Sequence, residues 1–455
     1  MHFLKKFIFK SIGFISIFST ALFLLTPFIS LSAQAEEEAS QELKLYAQAA
    51  VLMDAESGRI LYEKDAHKVL PMASTTKIMT CILALEYGHL DDYAKASSYA
   101  ASMPKVKLNV KTDEYYKLGD LLYSLMLESH NDAAVAIAEH LGRKYLPEQL
   151  GEKSPSEYTP EESRQAVEAF AAVMNRKAAE LGCGDTWFIT PNGLDATQVL
   201  TLENGETVEK RHSTTARDLA SIMCYCIRRS PRSQAFLEIT QTPSHSFSID
   251  NGRSFSCANH NAFLQMMQGA ISGKTGFTNQ AGYCYVGALE RDGRTLVVAL
   301  LACGWPNNKG YKWSDTRILM NFGLNDFAYH SLDEVAYDES ELESLPVLGG
   351  QTLEIGDTAY APVRILERGP GGDYQGTGAD GEDQEIEGLL LRDGEEIRVE
   401  CHMERQLQAP VEAGKQVGTI QYIFQDQVYR EEHIVTTRAV REIDYRWCFQ
   451  QIMRY

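Results

Sequence analysis

The sequence predicts an α+β protein. A β-hairpin, several helices and a later group of strands share the first part, a small all-β module follows, and an amphipathic helix ends the chain. Three observations carry this expectation. Apolar residues recur at helical spacing from about position 78 to 181, the period becomes strand-like between 269 and 303, and past 335 the chain turns acidic, turn-rich and alternating. At 455 residues, 44% hydrophobic and 23% charged, there is room for two or three domains of ordinary globular composition.

The first segment stands apart from the fold. Lys5, Lys6 and Lys10 precede a mostly apolar run from Ile12 to Leu31, and Ala33-Gln34-Ala35 offers the small residues of a cleavage site. This predicts an export signal over residues 1–35, removed after Ala35. The run is also long enough for an uncleaved anchor, but Pro27 and the interspersed Ser and Thr favour cleavage. The formal net charge is −19 and residues 1–35 contain no acid, so the exported chain is more acidic still. Such a surface is repelled by nucleic acid. Nine cysteines, an odd number spread thinly, do not form the pattern of a disulfide framework. Cys81, Cys284 and Cys303 sit inside apolar runs as small core residues do, and Cys224 and Cys226 have no partner pair, so no metal or other cofactor is expected.

The elements follow in order. Residues 49–54 and 59–63 flank a turn at Ser57-Gly58 and predict a hairpin. The stretch PMASTTKIMTCILALEYG, residues 71–88, predicts a buried helix with Ser74 as its N-cap and Gly88 as a left-handed C-terminal residue. A capping box would place Glu or Gln at 77, yet the residue is Lys77, a cation where the helix dipole disfavours it. Residues 119–142 predict two helices broken at Ser129-His130-Asn131. A further helix runs from about Glu161 to Leu181, and another begins with a cap at Ser213 or Thr214. Three strands then occupy GAISGKTGFT, AGYCYVGALE and RTLVVALLAC, the last two joined by a turn at Arg291-Asp292-Gly293, with a helix near Ser314 to Phe322. These elements predict one domain over 36–335. DESELESLP predicts a linker and RGPGGDYQGTGADGEDQ a long loop, within an all-β module over 345–437. Strands are expected at 358–366, 386–392, 395–402 and 417–434. The tail 438–455 combines Val440, Ile443, Trp447, Phe449, Ile452 and Met453 with four arginines, as a helix lying on a membrane surface does. A helix docked on its own module fits that tail equally well.

The chemistry rests on placement. Ser74 and Lys77, three apart on one helix face, can meet. For Lys77 to take the serine proton it must be neutral part of the time near pH 7, at a cost of about 4 kcal/mol that burial and a second cation can supply. The spelling alone is weak, because Ser102-Met103-Pro104-Lys105 repeats it with no reason to be a site. Ser129-x-Asn131 lies in a helix break where hydroxyl and amide can point into a cleft, although Asn131 or Asp132 could equally serve as a cap. Lys274-Thr275-Gly276 lies in a strand, where Lys274 and Gly276 share a face and Gly276 admits a ligand backbone. An edge-guarding lysine would look the same there. Lys111-Thr112-Asp113 copies its first two letters without the glycine.

Helix-borne Ser-x-x-Lys, inter-helix Ser-x-Asn and strand-borne Lys-Thr-Gly, in that order, form a signature that resembles the penicillin-binding, serine D,D-peptidase and β-lactamase superfamily. The sequence is most similar to low-molecular-weight D-alanyl-D-alanine carboxypeptidases, through PMASTTKIMT, ESHNDAAVAIAEHLG, FITPNGLD, HSTTARDLA and GKTGFTNQAGYCYVG as well as the module and tail. His130 departs from that family, which typically carries a small residue between Ser and Asn. The resemblance implies a β-lactamase/transpeptidase-like domain, an antiparallel sheet flanked by helices. It implies Ser74 as nucleophile toward a peptidoglycan stem peptide ending in D-Ala-D-Ala, Lys77 as general base, Ser129 as proton relay, and Asn131 as holder of the substrate amide. Lys274 would keep Lys77 deprotonated and polarise Ser129. Thr275 of the Lys274-Thr275-Gly276 strand, with Arg217, would bind the terminal carboxylate, and the N–H groups of Ser74 and Phe277 would form an oxyanion hole. β-Lactams are implied as covalent inhibitors, and the extracytoplasmic face of the membrane or the cell wall as location.

Three other readings are open on these motifs. A β-lactamase shares them, but no E-x-x-L-N pattern follows Asn131 and the appended module has no place there. A transpeptidase differs only in its acyl acceptor. A wall-associated scaffold on a degenerate fold would not need the five polar motif residues intact.

Overall fold

The computed structural model describes residues 43–202, 204–366 and 386–454. The predicted signal and the segment 368–384 lie outside the described residues. A five-stranded antiparallel sheet forms the centre of the first part, built from β1 (Ala49–Asp54), β2 (Ile60–Lys64), β3 (Ala270–Thr278), β4 (Gly282–Arg291) and β5 (Arg294–Leu301) in the order β2-β1-β5-β4-β3. The central strands β1 and β5 are buried almost throughout. They read as continuous apolar runs because helices cover both faces. Val51, Met53, Val297 and Ala299 face the main helical core. On the other face, Gly323 of the helix over Tyr311–Asp326 sits so close that a Cβ would meet Leu296 and Leu52. The hairpin between β4 and β5 turns through Asp292 and Gly293, both at positive φ, as the Arg-Asp-Gly signal predicts.

The helical core is organised around α1 (Lys77–Tyr87), whose residues are buried from Lys77 to Leu85, with α2 (Leu118–Leu127), α3 (Asn131–Gly142) and α4 (Pro160–Glu180). A helix apolar on every side belongs inside. α5 (Ala216–Cys224) and α6 (Tyr311–Asp326) also belong to this part, as does the helix over Ser233–Gln241.

Three local expectations differ. Ser74 caps nothing: it lies within a 3₁₀ turn, Ala73–Thr76, and α1 starts after Thr76 with no side-chain cap. Gly88 is extended, at φ −112°, and is glycine for space, since a Cβ would stand 2.5 Å from Leu118 Cδ2. The cap of α5 is Thr215, because Ser213 and Thr214 remain extended to bridge Trp187 and Leu70.

A second core gathers Leu332, Val347, Leu389, Ile420, Tyr422 and Ile434. The strand β6 (Ala328–Ser331) pairs with β7 (Gly388–Leu391), and β8 (Arg398–Met403), β9 (Gln416–Phe424) and β10 (Gln427–Thr436) form an antiparallel sheet. Arg59 at the start of the β2 hairpin arm is buried against this layer. It donates to the Leu390 carbonyl, pairs with both oxygens of Glu395 at 2.6 and 2.8 Å, and stacks 4.1 Å over Phe424. The tail is helical only over α7 (Tyr445–Ile452), with Asp444 as its cap. Val440 is not part of that face; it bridges Val411 in the second core. Among the described residues no helix is long and apolar enough to cross a membrane.

Candidate active site

Lys77 begins α1, so a serine three residues earlier falls on the preceding turn directly over it. Lys77 Nζ lies 2.9 Å from Ser74 Oγ, 3.0 Å from Asn131 Oδ1 and 2.5 Å from the Asn192 carbonyl. Ser74 Oγ also reaches the Asn192 carbonyl, at 3.3 Å. The turn is held tightly from two sides. Ala73 takes a left-handed φ of 49°, and Gly193, at φ 83°, passes so close that a Cβ would stand 1.9 Å from the Ala73 carbonyl oxygen. From the sheet, a Cβ on Gly276 would stand 2.9 Å from Ser74 N. Gly276 is therefore glycine to let β3 close on the serine turn, and not only to admit a ligand.

The electrostatics favour a neutral amine. Lys77 is 0% exposed. Burial first, and the charge of Lys274 second, hold its pKa well below the ordinary lysine range, with Asp132 pulling the other way. Lys274 is itself buried on edge strand β3, its pKa pushed down to about 7 by that burial, and it donates to the Thr275 carbonyl at 2.9 Å. A buried lysine is no edge guard. A neutral Lys77 has two N–H groups and one lone pair. With Asn131 Oδ1 and the Asn192 carbonyl as acceptors, the lone pair is left for the Ser74 hydroxyl.

The helix break supplies the opposite wall. Ser129 adopts φ 67°, and its hydroxyl is buried with no hydrogen-bond partner among the described residues. Asn131 begins α3 and gives one Nδ2 proton to the Pro104 carbonyl at 3.3 Å, leaving the other for a ligand. His130 turns away from the cleft: its ring is buried between Ser124 Oγ (2.8 Å) and Glu128 Oε2 (3.3 Å), and burial lowers its pKa.

These groups open on a cleft of about 710 Å³ lined by Ser74, Ser129, Asn131, Thr275, Gly276 and Phe277, with Gly193 and Leu194 on one side and Tyr283, Lys309, Lys312 and Trp313 on another. Arg217 is not among the lining residues. It is the one residue of α5 that is not buried, and its guanidinium sits 3.9 Å from Asp218. The cleft-side cations are instead Lys105, Lys309 and Lys312. Lys312 is packed 4.7 and 4.8 Å over the rings of Tyr283 and Trp313, and burial lowers its pKa. The segment 102–106, dismissed on its spelling, also forms part of the wall. Pro104 and Val106 accept from Asn131, Met103 Sδ accepts from Asn192 Nδ2, and Lys105 reaches the rim while Ser102 faces solvent, bonded to Tyr99. Asn192 and His212 also escaped sequence reasoning. A backbone carbonyl has no signature beyond the Pro-Asn-Gly turn that exposes it.

A hydroxyl with an amine base at 2.9 Å, in a cleft beside an open sheet edge, is the equipment of serine acyl transfer. A family model described as D-alanyl-D-alanine carboxypeptidase matches residues 34–144 and 164–303, and the chain belongs to that family. A second model, the C-terminal domain of penicillin-binding protein 5, matches residues 392–442. D-alanyl-D-alanine carboxypeptidase DacF of Bacillus subtilis (strain 168) is 24% identical over 427 residues, 92% of each chain. DacB2 of Mycobacterium tuberculosis is 32% identical over 278 residues, 61% of this chain and 82% of that one. The solved structure of penicillin-binding protein 5 from Haemophilus influenzae shares the fold with a TM-score of 0.60, at 22% identity, over 88% of this chain and 99% of that one.

Proposed function

We propose that this D-alanyl-D-alanine carboxypeptidase removes the terminal D-alanine of peptidoglycan stem peptides through an acyl-enzyme on Ser74, and that penicillin acylates the same oxygen. The carrying observation is the buried Lys77 Nζ, 2.9 Å from Ser74 Oγ with its other two directions taken by acceptors. Ser74 Oγ attacks the carbonyl carbon of the penultimate D-alanine while Lys77 takes its proton. The oxyanion is held by the N–H groups of Ser74 and Phe277, a preorganised donor pair of the kind that contributes about 3 kcal/mol or more per donor. The buried Ser129 hydroxyl, otherwise unpartnered at a cost of about 1–3 kcal/mol, passes a proton to the leaving amine. Asn131 Nδ2 holds the substrate carbonyl. Thr275 and the cleft-side lysines meet the terminal carboxylate, and water then hydrolyses the ester.

Residues 1–35 act as the export signal, delivering a peptidase domain over 36–335 and a β module over 345–437 to the extracytoplasmic face. The tail 438–455 makes the peripheral membrane contact. Tyr445, Phe449 and Ile452 are exposed on α7 and Met453 just past its end, with Arg446 and Arg454 beside them. The deciding experiment is intact mass after incubation with a fluorescent penicillin, wild type against Ser74→Ala, followed by D-alanine release from a peptide ending in D-Ala-D-Ala. An adduct on wild type alone, with release, is expected. No adduct on wild type, or an equal one on the variant, removes the proposal.

A further inference from the structure

The loop 189–194 touches both reacting groups without contributing a motif side chain. Its Asn192 carbonyl accepts from Lys77 Nζ and lies 3.3 Å from Ser74 Oγ, and its Pro191 carbonyl accepts from Thr80 of α1 at 2.7 Å. One buried ring also ties the loop to the serine turn. The backbone N–H groups of Ile189 and Thr190 both approach His212 Nδ1, at 2.9 and 3.3 Å. On the far side of the ring, Nε2 lies 2.8 Å from Thr76 Oγ1, whose own proton goes to the Ala73 carbonyl at 2.8 Å.

These contacts determine the ring's state. Two donors converge on Nδ1, so Nδ1 is an acceptor and carries no proton. Thr76 Oγ1 has spent its proton on Ala73, so it accepts from Nε2–H. The ring is 3% exposed, and burial first, then the charge of Lys77, pull its pKa down to about 3. A second proton at Nδ1 would face two N–H groups at hydrogen-bond distance.

We propose that His212 is a positioning residue for acylation: its neutral Nε2–H tautomer latches the turn carrying Ser74 and Lys77 to the loop carrying the Asn192 carbonyl. The latch keeps one Lys77 N–H on Asn192 and one on Asn131, so that the lone pair faces Ser74. The step it serves is the one above: the Ser74 O–H proton moves to Lys77 Nζ as Ser74 Oγ bonds to the substrate carbonyl carbon. The inference rests on that reading of Ser74 and Lys77. It adds a residue that touches neither the substrate nor the reacting atoms, and a misplaced base of this kind is costly because about 1 Å of displacement is worth about a hundredfold in rate.

The test measures penicillin acylation of the full chain as a function of concentration, separating half-saturation from the limiting rate, for wild type, His212→Leu and His212→Gln. Gln offers an acceptor and a donor at similar reach. We expect His212→Leu to lose about tenfold or more in limiting rate with half-saturation within about twofold, and His212→Gln to recover most of it. Long-range nitrogen spectra of imidazole-labelled wild type should show Nε2 protonated, Nδ1 bare, and no titration from about pH 5 to about pH 9. Acylation by His212→Leu at the wild-type rate, a Gln variant as slow as the Leu variant, or a titrating ring overturns the latch. Where His212→Leu fails to fold, the Gln variant and the wild-type spectra still decide. Wild type that is never acylated sinks the underlying reading of Ser74 instead, whatever His212 does.

Discussion

Residues 74–77 and residues 102–105 carry the same Ser-x-x-Lys spelling and lie on opposite sides of one cleft, yet only one pair has its two side chains together. Ser74 and Lys77 meet at 2.9 Å because a 3₁₀ turn runs straight into α1. In the second string the chain leaves its short helix at Ser102 and passes Pro104, so Ser102 bonds back to Tyr99 and Lys105 extends to the rim. Spacing offers a contact, and secondary structure delivers or withholds it. Burial adds the chemistry: Lys77 is enclosed beside Lys274, whereas Lys105 is in water. The comparison breaks most sharply at the serines. Ser74→Ala should lower acylation and D-alanine release by at least about 10⁴-fold, and Ser102→Ala should leave both within about twofold. Parallel losses in the two variants, measured as kcat/KM, would erase the distinction.

The backbone that presents the first pair gives the next largest effects. Gly193→Ala forces a Cβ toward the Ala73 carbonyl at a positive φ, and a displaced serine turn should lose about 10²-fold or more in kcat/KM. Gly184→Ala, with open space around it, is the control and should change nothing. A smaller effect distinguishes burial from charge as the cause of the lowered Lys77 pKa. Lys274→Gln removes the like charge that disfavours the Lys77 ammonium, so the Lys77 pKa rises and the acidic limb of the acylation profile moves to higher pH. Burial, the larger cause, remains, so the limb should still lie well below that of an ordinary lysine. An unmoved limb would mean that Lys274 acts only through contacts with the substrate.

Much of the site was legible because periodicity and helix breaks are local. Ser74, Lys77, Ser129, Asn131 and Lys274 were placed by a helix start, a helix interruption and a strand, and each of those elements forms. What escaped depends on which way an element faces. Arg217 lies on a helix whose other residues are buried, and no sequence pattern said that its one outward position would be the arginine. Lys312 lies in the first turn of α6, just after a stretch rich in lysine and asparagine, and only packing against Tyr283 and Trp313 singles it out. The Asn192 carbonyl and the His212 ring each join a backbone group to a side chain, a contact that residue types do not encode. In the tail, the apolar periodicity ran through Val440, but the second core needed that side chain, so the helix begins only at Tyr445.

The smallest expected effect belongs to the second lysine of the comparison. Lys105 stands exposed on the cleft rim, where a substrate carboxylate or the acidic groups of a peptide would pass it, and solvent screens most of its attraction. Lys105→Ala should therefore raise KM for a D-Ala-D-Ala peptide by roughly two- to fivefold with kcat unchanged, and the difference should shrink as salt is added. Lys77→Ala should do the reverse, lowering kcat by about 10³-fold or more while KM barely moves. A fall in kcat for Lys105→Ala would mean that the rim lysine reaches the transition state. The two strings would then share a role in catalysis despite their different geometry.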